Sequence, residues 1–97
     1  MSDSVHDKIA KRLATKFGTE YKANKGIDIV TSNKVIEVET KQGSIEQGIK
    51  QVAYSAKPRY LAVNKINLKN ALEATESTGI GVMGPTGIIH KKAGRKG

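Results

Sequence analysis

Residues 26 to 41, GIDIVTSNKVIEVETK, decide the fold because they predict two short strands joined by a turn. The first strand is the β-branched run at 27–30, and the second is the alternating run at 35–41. Ser32 and Asn33 lie between the two runs, and both residue types favour turns because their side chains hydrogen-bond nearby backbone. The stretch therefore predicts an antiparallel β-hairpin.

The register of this hairpin follows from its apolar pattern. An even-numbered loop pairs Ile29 with Ile36 and places Asp28 opposite Glu37. Side chains alternate faces along a strand, so this register separates apolar from polar residues, whereas an odd loop would mix them. The apolar face then holds Ile27, Ile29, Ile36 and Val38. The polar face holds Asp28, Glu37, Glu39 and Lys41.

The polar face carries three carboxylates that repel each other, so a positive group is expected among them. Glu39 lies diagonal to Asp28, and diagonal neighbours are roughly 7–8 Å apart, within reach of one bound ion. The positive group is either Lys41 or a divalent cation that prefers oxygen ligands, Mg²⁺ or Mn²⁺. The alternative interpretation is a solvated strand face, since antiparallel strands often alternate polar and apolar residues.

A resemblance supports the metal-binding interpretation. Asp28, ten further residues and then Glu39-Thr40-Lys41 resemble the D…(D/E)-x-K signature of the PD-(D/E)XK nuclease superfamily, and the chain is most similar there to archaeal Holliday junction resolvases. The resemblance implies that Asp28, Glu39 and the Thr40 carbonyl hold Mg²⁺ or Mn²⁺, with Glu37 as a further acidic candidate. It implies that Lys41 orients the attacking water or stabilises charge on phosphorus. The implied activity is metal-dependent hydrolysis of DNA phosphodiester bonds, with a structure-selective, resolvase-like enzyme as the finer expectation.

The region after the hairpin predicts a helix that opens at Ser44, with Gln47 completing a capping box, and ends at Lys57-Pro58. Several nucleases of this superfamily carry a glutamine near the site on the corresponding helix. The resemblance therefore implies a catalytic role for Gln47 or Gln51. The alternative is that both are ordinary exposed glutamines.

The remaining periodicity predicts a single α/β domain. Helices are expected at 4–17 and 67–78, strands at 20–22, 59–63 and 80–83, and an edge strand at 88–89. This order resembles the αβββαβ restriction-endonuclease-like core, so a mixed central sheet flanked by helices is expected. The domain is predicted to span residues 1–90, followed by a disordered basic tail at 91–97.

The net charge of +8, from 17 basic and nine acidic residues, favours a polyanionic partner, and DNA is the first expectation. The tail supplies the candidates for nucleic-acid binding: Lys91, Lys92, Arg95 and Lys96. Such contacts to phosphate do not depend on base sequence.

Composition excludes several other classes. The chain has no cysteine and two histidines far apart, which argues against a disulfide framework, a thiolate site or a histidine-rich zinc site. No apolar run approaches ~18 residues and no signal-peptide core is present, so an intracellular protein with no membrane partner is expected. The modest hydrophobic content, 37%, favours a homodimer that covers more apolar surface.

Two departures from the family pattern leave alternatives open. Archaeal resolvases usually carry a glutamate on the first helix, whereas this predicted helix has only Asp7, and Glu20 follows it. A shifted motif, Glu37-Val38-Glu39, would put glutamate in place of the lysine and leave Lys41 peripheral. One alternative function is a catalytically inactive nuclease fold that binds nucleic acid. The other is a small basic ribosomal or chromatin-like protein whose carboxylates are merely solvated.

Overall fold

A computed structural model describes residues 4–22 and 26–94 of the chain. Within these residues the helices are α1 (Val5–Lys16), α2 (Ile45–Val52) and α3 (Leu68–Ala74). The strands are β1 (Ile29–Val30), β2 (Val35–Glu39), β3 (Arg59–Val63), β4 (Gly81–Met83) and β5 (Ile89–Lys91). Two single-turn 3₁₀ helices, Gln42–Ser44 and Lys65–Asn67, lead into α2 and α3. None of these helices is long and apolar enough to cross a membrane.

The five strands form one mixed sheet in the order β1-β2-β3-β4-β5. The outer pairs, β1–β2 and β4–β5, are antiparallel, whereas β2–β3 and β3–β4 are parallel. The predicted strand at 59–63 is confirmed: all five β3 residues are buried, and the strand pairs in parallel with β2. The described chain is therefore a single α/β domain with a mixed sheet and helices on both faces.

The β1–β2 hairpin has the predicted even register, with Ile29 opposite Ile36 and Val30 opposite Val35. The turn is organised by the Thr31 hydroxyl, which accepts hydrogen bonds from the backbone N–H groups of Asn33 (3.2 Å) and Lys34 (3.0 Å). β1 is shorter than predicted, because regular pairing starts at Ile29 rather than at residue 27.

The two faces of the sheet carry separate apolar clusters. On one face, Ile29, Ile36 and Val38 pack with α1. On the other, Val35, Leu61 and Val63 pack with residues of α2 and α3. The alternation predicts Ile27 beside Ile29, but Ile27 packs against the second cluster, because the chain before β1 is bent rather than extended.

The element boundaries around the hairpin correct several predictions. Residues 20–22 form no strand: the Lys22 N–H donates to the Asp28 carbonyl (2.8 Å), but no ladder follows. The predicted αβββαβ order is therefore α, β, β, α, β in the described residues. Ser44 does not form the predicted capping box, since its hydroxyl donates to the Lys41 carbonyl (2.9 Å). α2 ends at Val52, several residues before the predicted stop.

The C-terminal part also differs from the prediction. α3 ends at Ala74 rather than Thr78. The predicted edge strand exists but continues through Lys91, a residue that the charge pattern places in a disordered tail. The Lys91 ammonium donates to the carbonyls of Thr75, Thr78 and Ile80, so it joins β5 to the end of α3.

Candidate active site

Asp28 lies one residue before β1, and side-chain bonds replace regular strand pairing there. Its Oδ2 accepts a hydrogen bond from the Val38 N–H (3.0 Å), and its own N–H donates to Oε1 of Glu37 (3.0 Å). Asp28 is only 5% exposed. The hairpin therefore holds the Asp28 and Glu37 carboxylates side by side at the edge of the sheet.

Glu39, the last residue of β2, is held against α2 and is 9% exposed. A Cβ atom at Gly48 would lie 2.7 Å from Cγ of Glu39, which is closer than real side chains approach. Gly48 therefore provides the room that Glu39 occupies. Sequence reasoning missed this role, although a glycine inside a predicted helix is a signal, because it costs about 1 kcal/mol relative to alanine.

Burial determines the electrostatics of this acidic cluster, defined here as Asp28, Glu37 and Glu39. It raises the pKa of Asp28 and the pKa of Glu39 above their ordinary values. It raises the pKa of Glu37 to about 8, and the neighbouring negative charges of Asp28 and Glu39 add to this effect. Near neutral pH the cluster therefore retains a proton, and a bound cation would compensate the same repulsion.

His6, on the first turn of α1, contacts Asp28 of the acidic cluster. Its Nε2 lies 3.1 Å from Oδ2 of Asp28. Its Nδ1 lies 3.2 Å from the hydroxyl of Tyr21, and that hydroxyl donates to Oδ1 of Asp7 (2.9 Å). The Tyr21 hydrogen bond lowers the pKa of Asp7. Asp28 thus lies between His6 and Glu37.

Lys41 lies two residues beyond the end of β2, where its backbone is still extended (φ −126°, ψ 136°). It is exposed and lines a cleft of about 420 Å³. The cleft is lined by Ser4, Val5, His6, Thr40, Lys41 and Asn64. The Thr40 carbonyl, a predicted metal ligand, accepts a hydrogen bond from Nδ2 of Asn67 (2.9 Å) and keeps one lone pair for a second partner.

The other predicted site residues are more dispersed. Gln47 and Gln51 occupy exposed positions of α2, before and after Gly48. Nε2 of Gln51 lies 3.4 Å from the position a Cβ of Gly26 would take, so this glutamine reaches the start of the hairpin.

The residues predicted to bind nucleic acid have different environments. Lys92 is exposed, whereas the ammonium of Lys91 is engaged by three carbonyls, so Lys91 serves the fold rather than a free phosphate-binding surface. Arg95 and Lys96 lie outside the described residues. Further basic side chains, Lys8 and Arg12, are exposed on α1.

The donor chemistry of the acidic cluster fits an open divalent-cation site. In residues 4–22 and 26–94, no group of three or more histidine, cysteine, aspartate or glutamate side chains could by itself hold a metal ion. Mg²⁺ commonly binds through one or two carboxylates and completes its shell with water and substrate phosphate. Asp28 and Glu39 provide carboxylates of this kind, so the residues fit a water-completed site and not a closed cage.

Comparison with known proteins does not place this chain in a family: no family model, no curated protein and no solved structure matches it. The fold and the site define a single-domain α/β protein with an acidic cluster at the edge of a mixed sheet and a basic residue in the adjoining cleft.

Proposed function

We propose that this protein is a divalent-metal-dependent nuclease that hydrolyses DNA phosphodiester bonds. The observation that carries the proposal is the acidic cluster itself, in which burial raises the pKa of three neighbouring carboxyl groups. Carboxylates in a chain of net charge +8 would repel phosphate unless a cation lay between them. Perturbed groups of this kind concentrate at functional sites.

Each residue has a defined part in the proposed reaction. Asp28 and Glu39 would hold Mg²⁺ or Mn²⁺, and Glu37 would keep Asp28 in place through its hydrogen bond to the Asp28 N–H. The cation would supply Lewis-acid polarisation of a phosphoryl oxygen and a water of lowered pKa. Lys41, exposed in the cleft, would stabilise the charge that develops on the phosphate in the transition state.

The resemblance to PD-(D/E)XK nucleases supports this proposal and refines it. A restriction-endonuclease-like core, a resolvase-like preference for branched DNA and a homodimer are parts of the proposal that rest on that resemblance and on composition. Gln47 and Gln51 stay catalytic candidates on the same basis. The first predicted strand, at 20–22, is missing, so the described elements depart from the superfamily core at that point.

A second candidate function is a nuclease-like protein that binds nucleic acid without cutting it. One observation favours it: Asp28 and Glu39 are almost fully buried. Both functions require exposed basic residues that contact phosphate, but only the first requires a cation to reach the acidic cluster.

Cleavage of a panel of substrates separates the two candidates. The panel contains a four-way junction, a flap, a linear duplex and an RNA duplex, each incubated with Mg²⁺, Mn²⁺ or EDTA. The proposal expects cation-dependent cleavage of DNA by the wild type and no cleavage by Asp28→Asn or Lys41→Ala. The control Glu46→Gln, which alters an exposed acid on α2, should cleave like the wild type. DNA binding without any cleavage would support the second candidate instead.

A further inference from the structure

The proposed reaction leaves His6 unassigned, although this side chain connects the acidic cluster to the cleft. Nε2 of His6 lies 3.1 Å from Oδ2 of Asp28, a residue of the cluster. The same imidazole lines the cleft together with Thr40 and Lys41. His6 is 30% exposed at its side chain, so it is accessible from the cleft while Asp28 is not.

The hydrogen bonds among His6, Tyr21 and Asp7 show that Nδ1 of His6 carries a proton. The Tyr21 hydroxyl donates its only proton to Oδ1 of Asp7, so its oxygen accepts from Nδ1–H of His6. Nε2 is the nitrogen directed at Asp28, and in the metal-free protein it shares a hydrogen with Oδ2 that a bound cation would replace. Histidines that bind metal ions almost always have this arrangement, with the distal N–H donating to an oxygen that fixes the tautomer and ring orientation.

The distance between the two facing atoms also suits a shared ion. Two ligand atoms at right angles on a cation, each about 2.1 Å from it, lie about 3.0 Å from each other. The His6 Nε2 to Asp28 Oδ2 distance of 3.1 Å is close to that value. The pair therefore needs little rearrangement to hold one ion between them.

We propose that Nε2 of His6 is a nitrogen ligand of the cation held by Asp28, so that the site prefers a first-row transition ion over Mg²⁺. This inference rests on the proposed function, because it assigns a ligand to the same site. Imidazole nitrogen binds first-row transition ions, whereas Mg²⁺ strongly prefers oxygen. Tyr21 is a positioning residue in this scheme: it touches neither cation nor substrate and acts by orienting His6.

Pulsed electron paramagnetic resonance of the Mn²⁺-loaded full chain, without a histidine tag, tests the assignment. A directly bound imidazole nitrogen gives a characteristic modulation of the Mn²⁺ signal. The variant His6→Asn removes Nε2, while its amide can still donate to Tyr21. The matched control is His90→Asn, because His90 is the other histidine of the chain and is exposed on β5.

The inference expects nitrogen modulation in the wild type and in His90→Asn, and its loss in His6→Asn. Titration calorimetry should show that His6→Asn lowers the ratio of Mn²⁺ to Mg²⁺ affinity by about tenfold or more. Tyr21→Phe should keep the modulation and lower Mn²⁺ affinity by about tenfold, which serves as a second test if His6→Asn does not fold.

Other results overturn the inference in distinguishable ways. One such result is that the wild type binds Mn²⁺ without nitrogen modulation and that Asp28→Asn abolishes this binding. His6 is then not a ligand, but the proposed metal site stands. Modulation that persists in His6→Asn has the same meaning. If the wild type binds neither Mn²⁺ nor Mg²⁺, both the inference and the proposed function fail.

Discussion

The raised pKa of Glu37 makes the stability of this protein depend on pH in an unusual direction. Burial raises the pKa of this carboxyl from an ordinary 4.5 to about 8 in the folded chain. The folded state therefore binds more protons than the unfolded state between these two values, and stability must fall as pH rises. The contribution of Glu37 to the free energy of unfolding is fully present below pH 4.5 and is lost as pH rises through about 8.

The expected size is large for a domain of 97 residues. At about 1.4 kcal/mol per pKa unit, the shift corresponds to about 5 kcal/mol as an upper limit. Whole domains are stabilised by only about 5–15 kcal/mol. Solvent screening of this half-buried side chain reduces that value, so the wild type should lose part of its stability between pH 5 and pH 9 in metal-free buffer.

The variant Glu37→Gln tests this reasoning, because a neutral amide oxygen can still accept the hydrogen bond from the Asp28 N–H. Urea unfolding is measured from pH 5 to pH 9 in EDTA. The variant should match the wild type near pH 5 and exceed its free energy of unfolding by several kcal/mol at pH 9. Glu46→Gln, at an exposed position of α2, is the control and should follow the wild-type curve. Equal pH dependence in Glu37→Gln and wild type would refute the reasoning.

Three further outcomes follow from particular features of the structure. Gly48→Ala should lower the free energy of unfolding by about 1–3 kcal/mol in a urea titration, because the new methyl group overlaps Glu39. It should also weaken Mn²⁺ binding in calorimetry. Unchanged values would show that the Glu39 side chain moves aside freely. Lys91→Met should cost about 1–3 kcal/mol in thermal or urea unfolding, since three carbonyls lose their donor, whereas Lys92→Met should cost nothing measurable. Deleting residues 92–97 should flatten the log–log dependence of DNA affinity on salt by roughly 0.9 for each phosphate that the tail neutralises, and an unchanged slope would exclude the tail from the interface.

The hairpin was predictable because its pattern is local. β-branched runs on either side of a polar turn specify the strands, and only one register separates apolar from charged residues. Thus the pairing of Ile29 with Ile36 and the adjacency of Asp28 to Glu37 followed from the sequence. The buried strand at 59–63 was predictable for the same reason, as a short apolar run ending at a polar loop.

The contact between His6 and Asp28 could not be predicted, since it joins residues 22 positions apart and depends on how α1 crosses the sheet. The tail prediction is wrong for Lys91 because its charge indicates a solvated segment, while its long side chain reaches the backbone carbonyls that follow α3. The predicted strand that carries Lys41 is two residues too long, because β2 ends at Glu39. Local patterns specify the strands, whereas tertiary packing decides which polar groups meet.

The central claim is that a cation bridges the acidic cluster and the DNA phosphate, and the cation dependence of DNA affinity tests it most directly. Affinity for a DNA duplex is measured in EDTA and in Ca²⁺, an oxygen-preferring ion, for the wild type and Asp28→Asn. The wild type should bind more tightly with Ca²⁺, whereas Asp28→Asn should bind at least as tightly as the wild type in EDTA and gain nothing from the ion. Screening is weak within about 8–10 Å, so removing one negative charge relieves repulsion of the phosphate. A wild type whose affinity ignores Ca²⁺, or an Asp28→Asn variant that binds more weakly in EDTA, would contradict the account.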